Sequence, residues 1–138
     1  MNLTLEDVMI AARTVDAEAR GEGFQGMKHV AWVMKNRWFT KEGLFERDDT
    51  LATACLRHRQ FSAWNEGDAN FERMQKIDVS NPAFRLALRA VLEVLDEQID
   101  TLTIGSTHYH NAAVAPSWAA GKPPATVFGN HLFFNNID

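Results

Sequence analysis

Residues Ala11–Arg37 read AARTVDAEARGEGFQGMKHVAWVMKNR, and the parsing of this stretch decides the fold. Leu5, Val8, Ala12, Val15 and Ala19 recur at helical spacing, and Met27, Val30, Ala31 and Met34 do so again further on. Between the two runs lies Arg20-Gly21-Glu22-Gly23. The pattern predicts a helix, a break, and a second helix from about Phe24 to Trp38. Gly21 can take the left-handed conformation that ends a helix, and Gly23 adds backbone freedom beside it. Thr4 and Asp7 supply a capping-box signal at the start of the first helix.

Glu18 falls in the last turn of that first helix. There it faces the negative end of the macrodipole, which disfavours its ionised form. A dry setting raises a carboxyl pKa further, as a general acid requires. At about 100° per residue, Glu18 lies at the edge of the apolar stripe, where a side chain is partly desolvated yet can reach a cleft. It is the candidate catalytic residue; the alternative is a solvated glutamate on a surface helix. Arg13, Asp16, Lys28 and Lys35 are expected to face water. Trp32 is expected in the core, while Trp38 is available to line a groove. Asn36 and Arg37 can cap carbonyls or pair with Glu22.

Outside this stretch, composition sets the limits. A chain of 138 residues, 46% hydrophobic and 23% charged, suits a single globular domain over 1–138. The net charge of −4 gives no electrostatic basis for binding nucleic acid or anionic membranes. No apolar run reaches membrane-spanning length, and MNLTLEDVMIAART lacks the pattern of a signal peptide. The expectation is synthesis in a cytoplasm. The lone Cys55 cannot form an internal disulfide and reads as a small core side chain.

Downstream, FTKEGLFERDDT (39–50) reads as a polar loop and Thr50–Leu56 as a short helix. QFSAW (60–64) has few helical features and can present Gln60 and Ser62 to a polar ligand. A short helix is possible around Ala69–Lys76. Asn81-Pro82 pairs an N-cap with a proline at the first helical position. It opens a long amphipathic helix carrying Phe84, Leu88, Val91, Leu92, Leu95 and Ile99, and ending near Asp100. From Thr101 the period changes: a strand is expected over Ser106–Asn111, then a proline-rich loop. Thr126–Phe128 and His131–Phe134 flank Gly129-Asn130, a two-residue hairpin signal. The result is a small antiparallel sheet packed on a helical body.

Several chemistries compete. His108 and His110 point to one face of a strand, and with His131 they make a zinc-dependent amidase or peptidase a live alternative. No HExxH helix accompanies them. Ser62, Ser106 and Ser117 lack a nucleophile-elbow pattern, and no glycine-rich phosphate loop follows a strand. An aromatic groove that holds a glycan without turnover is a third possibility.

EARGEGFQG with VAWVMKNR, then QFSAW, then THYHNAAVAPSWA, then FGNHLFF resemble, in that order, the cell wall hydrolase family of spore-cortex-lytic enzymes. The resemblance covers about Ala11 to Phe134. It implies an α+β fold that is lysozyme-like or lytic-transglycosylase-like: a mainly helical body with a small antiparallel β lobe bordering the active-site groove. It also implies that the first glutamate of EARGE, Glu18, is the catalytic acid. Glu22, Gln60, Ser62, His108, Tyr109, Trp118 and His131 match motif positions that would line or support the groove. The implied partner is a peptidoglycan glycan strand, cut between N-acetylmuramic acid and N-acetylglucosamine; a monomer without metal or other cofactor is expected. Without a leader or a wall-binding repeat, the sequence suggests a phage-like lysin acting on the wall after release or delivery.

Overall fold

The computed structural model describes residues 3–39, 50–56, 64, 67–68 and 71–137. Helix α1 (Leu5–Ala19) is capped as the sequence requires: the Thr4 side chain accepts from the Asp7 N–H, and the Asp7 carboxylate accepts from the Thr4 N–H. The break is a 3₁₀ turn, Arg20–Glu22, followed at once by α2 (Gly23–Phe39). The positive φ expected at Gly21 occurs instead at Gly23 (φ 75°), because the 3₁₀ turn carries the chain two residues further before it reverses. Short helices α3 (Leu51–Leu56) and α4 (Phe71–Lys76) follow. Helix α5 (Pro82–Asp96) opens with the Asn81 side chain accepting from the Ala83 and Phe84 N–H groups.

Helices α1, α2 and α5 pack on one another, with α3 against α1 and α2. Val15, Met27, Val30, Met34, Phe84, Val91 and Val94 are buried at their junction, as are Trp32, Trp38 and Cys55. Four expectations change here. Leu92 and Ile99 are exposed, since α5 turns Phe84, Ala87, Ala90, Val91 and Val94 inward and ends at Asp96, before Ile99; Leu5, the first residue of α1, is exposed too. Asp16 is fully buried and pairs with Arg73 of α4. Arg13 reaches across to donate from Nε to the Ile77 carbonyl at 3.2 Å. Lys28 and Lys35 are buried rather than solvated. Lys35 Nζ donates to the Val94 and Glu97 carbonyls at 2.9 and 2.6 Å, and Lys28 meets Glu97 at 3.1 Å. Both lysines thus neutralise the C-terminal end of α5, where carbonyls lack helical partners.

The sheet has strand order β1-β3-β2 and is antiparallel throughout: β1 (His108–Asn111), β2 (Thr126–Phe128) and β3 (His131–Phe134). The β2–β3 hairpin has the expected limits, and the positive φ of its turn falls on Gly129 (φ 56°), the first central position, as in a II′ turn. Tyr109 pairs with Phe133 and His108 with Phe134. Because side chains alternate across a strand, Tyr109, His131, Phe133 and Phe128 share one face. His108, His110 and Phe134 share the other. The first face packs on the helical body, where His29 of α2 stacks on Phe128 with ring centroids 4.3 Å apart. The mainly helical α+β architecture with a small antiparallel sheet is therefore as expected.

Candidate active site

Glu18 occupies the penultimate position of α1 and is half-buried. The Tyr109 hydroxyl, from β1, donates to Glu18 Oε1 at 2.6 Å. Burial raises the Glu18 pKa above the ordinary glutamate value. The Tyr109 hydrogen bond opposes that rise, the charge of Asp68 adds to it, and the charge of Arg37 opposes it. Desolvation prevails, so the protonated carboxyl persists to higher pH than in water. Burial, and then the charge and hydrogen bond of Glu18, push the Tyr109 hydroxyl well above its usual pKa, so it stays a donor across the working range.

Residues at the end of α2 hold the strand that carries Tyr109. Arg37, buried, donates from Nε to the Thr107 carbonyl at 2.6 Å. Asn36 donates to the Ser106 carbonyl at 2.9 Å and to Asp100 at 3.0 Å. Asp100 in turn accepts from the Leu102, Thr103 and Gly105 N–H groups. The two α2 residues expected to cap carbonyls do so, but those of the approach to β1 and not of their own helix. Trp64, the last residue of QFSAW, donates from Nε1 to Thr14 Oγ1 at 2.6 Å, one turn before Glu18 in α1. Gln60 and Ser62 lie outside the described residues.

Glu22 is directed at the hairpin turn: Oε2 accepts from the Asn130 N–H at 3.4 Å. His131 lies on the Tyr109 face, its ring 5.0 Å from that of Tyr109. Burial lowers the pKa of His131 despite the nearby Glu22 charge. His108 and Trp118, expected with Tyr109 to line or support the groove, are brought together with each other and not with the Tyr109 hydroxyl. Their rings are 5.1 Å apart, with His110 5.6 Å from Trp118, on the opposite sheet face. The three sheet histidines consequently do not converge. His131 faces away from His108 and His110, and among the described residues no group of three His, Cys, Asp or Glu side chains could hold a metal ion. Pairing β1 with β3 sets these faces, which composition alone does not. Asp68 is a residue that sequence reasoning missed; its polar loop offers no periodic signal.

A family model described as Cell Wall Hydrolase matches residues 21–134. The chain belongs to the cell wall hydrolase family. No curated protein matches it. Among solved structures, this hydrolase is similar to the catalytic domain of the Bacillus cereus SleB protein, with a TM-score of 0.76, 23% identity, and coverage of 97% of this chain and 93% of that one. It is likewise similar to the catalytic domain of the germination-specific lytic transglycosylase SleB from Bacillus anthracis, at TM-score 0.73 and 24% identity, covering 97% of this chain and 98% of that one. At such identities the likeness establishes the fold, the lysozyme-like, lytic-transglycosylase-like architecture expected. The family match begins at Gly21, three positions after Glu18, so the case for that glutamate rests on its geometry. Among the described residues no helix is long and apolar enough to cross a membrane.

Proposed function

We propose that this cell wall hydrolase cleaves the peptidoglycan glycan strand between N-acetylmuramic acid and N-acetylglucosamine, with Glu18 as general acid and then general base. The observation that carries this reading is the partly buried Glu18 carboxyl, its pKa raised by desolvation, gripped through Oε1 by the Tyr109 hydroxyl. A carboxyl held in this way has one oxygen fixed and presents the other to the substrate. In the first step the Glu18 proton passes to the glycosidic oxygen, the bond from that oxygen to the muramic acid C1 breaks, and an oxocarbenium-like centre develops. The carboxylate left behind removes the proton of the muramic acid 6-hydroxyl, whose oxygen closes on C1. The product is a 1,6-anhydro end, and Glu18 is protonated again.

Hydrolysis would instead require an activated water and usually a second carboxylate. Glu22 faces the hairpin turn and is poorly placed for that task, which favours lytic transglycosylation. The Bacillus anthracis relative is a lytic transglycosylase, which points the same way. Mass spectrometry of fragments released from purified peptidoglycan tests this reading. Anhydro-muramic ends, unaffected by chelator, are expected. Reducing muramic ends would mean hydrolysis; free stem peptides would mean an amidase; absence of any fragments would mean a binding module.

A further inference from the structure

Glu22 closes the 3₁₀ turn that follows α1, four residues after Glu18, and its side chain fills a slot lined by two glycines. A Cβ on Gly129 would overlap the Glu22 carboxylate, and a Cβ on Gly26 would overlap the Glu22 Cβ and crowd Phe128. Gly26 lies in the first turn of α2 and Gly129 in the β2–β3 turn, so two segments distant in sequence each lack a side chain where Glu22 lies, one at its Cβ and one at its carboxylate. Within that slot Oε2 accepts from the Asn130 N–H at 3.4 Å. The Asn130 carbonyl, on the same residue, accepts from the Ala112 N–H at 2.7 Å, immediately beyond β1. Three positions before Ala112, Tyr109 donates to Glu18. The connections form a ring: Glu18, the 3₁₀ turn, Glu22, Asn130, Ala112, Tyr109 and back to Glu18.

From this ring we infer that Glu22 is a positioning residue, whose carboxylate latches the hairpin turn to the end of α1 and so holds Tyr109 at Glu18. It acts through Asn130 and the sheet, and touches no reacting atom. The inference rests on the reading of Glu18 as the catalytic acid. It assigns to Glu22 an acceptor's role, for which charge is dispensable and a correctly placed oxygen is not.

The test compares Glu22→Gln with Glu22→Ala. Glutamine keeps an oxygen for the Asn130 N–H but cannot serve as acid, base or nucleophile. Glu22→Gln is expected to retain turnover on purified peptidoglycan within about threefold, while Glu22→Ala, by loosening the site geometry, loses about tenfold or more. A Glu22→Gln variant as inactive as Glu22→Ala would overturn the proposal in favour of carboxylate chemistry, and full activity in both would overturn it outright. Amide hydrogen exchange keeps the test independent of catalysis and of folding yield. Exchange at Asn130 and Ala112 should accelerate in Glu22→Ala, or in Gly129→Ala if Glu22→Ala fails to fold, and stay slow in Glu22→Gln; unchanged exchange in the disrupted variant would sink the latch. If Glu18→Gln proves active, the reading of Glu18 fails, and the exchange experiment still decides the latch.

Discussion

The Tyr109 hydroxyl donates to Glu18 Oε1 across 2.6 Å, tying the last turn of α1 to the first strand of the sheet. A bond to the ionised form lowers a carboxyl pKa, so Tyr109 moderates the rise that burial imposes on Glu18. In Tyr109→Phe that moderation is gone and the Glu18 pKa climbs further. The alkaline limb of the kcat/KM profile, where Glu18 loses its proton, should move to higher pH. The rate at the optimum should fall about tenfold from loss of a charge-assisted hydrogen bond. An alkaline limb that stays put would show that Tyr109 does not act on this carboxyl.

Stability offers a second check on the same group. With its folded-state pKa raised from the reference of 4.5, Glu18 binds its proton more tightly in the folded than in the unfolded chain. Ionisation therefore weakens the fold as pH rises above the unfolded value. Glu18→Gln, neutral throughout and still able to accept from Tyr109, should melt above wild type at pH 7, by a few degrees. The two curves should converge below pH about 4. A wild type that is the more stable protein at pH 7 would contradict the assignment of burial as the dominant cause.

What the sequence makes legible follows from where the physical signal is local. Helix starts at Thr4 and Asn81, the helix–break–helix around Glu18 and the Gly129-Asn130 hairpin are all set by neighbouring residues, and the structure has them. Asp16 reads as solvated because its partner, Arg73, comes from a helix remote in sequence. Lys35 reads the same way because the carbonyls it caps belong to α5. The faces of the sheet depend on β3 pairing with β1 as well as with β2. That separates His131 from His108 and His110, and Trp118 from the Tyr109 hydroxyl. Glu18 stood out through its helix-end position. Asp68 and the role of Gly129 depend on long-range contacts that no spacing reveals.

His108 should make the fold acid-sensitive. Burial, then the charges of Arg37 and Lys122, lower its pKa from 6.5 to about 4, so the folded chain prefers the neutral ring. Its contribution is intact above the unfolded pKa and is lost as pH falls from about 6.5 toward 4. His131, also lowered by burial, acts in the same direction. Melting temperature should decline over that window, and His108→Gln should flatten the decline without abolishing it. An identical slope in the variant would remove His108 from the account.

The partly exposed Arg73 guanidinium pairs with the fully buried Asp16 carboxylate and pins α4 to α1. Arg73→Ala leaves the Asp16 carboxylate buried without that cation, a change that typically costs about 3 kcal/mol. Chemical denaturation should show a loss of that size with an unchanged m-value, whereas a loss under about 0.5 kcal/mol would mark the pair as an ordinary surface contact.

The central claim is that one glutamate carries the proton transfers, and the direct measurement is the rate at which Glu18→Gln releases fragments from purified peptidoglycan, with its fold verified by melting temperature. A folded variant that is slower by about a thousandfold is the predicted result. A folded variant that digests the wall at close to the wild-type rate would contradict it.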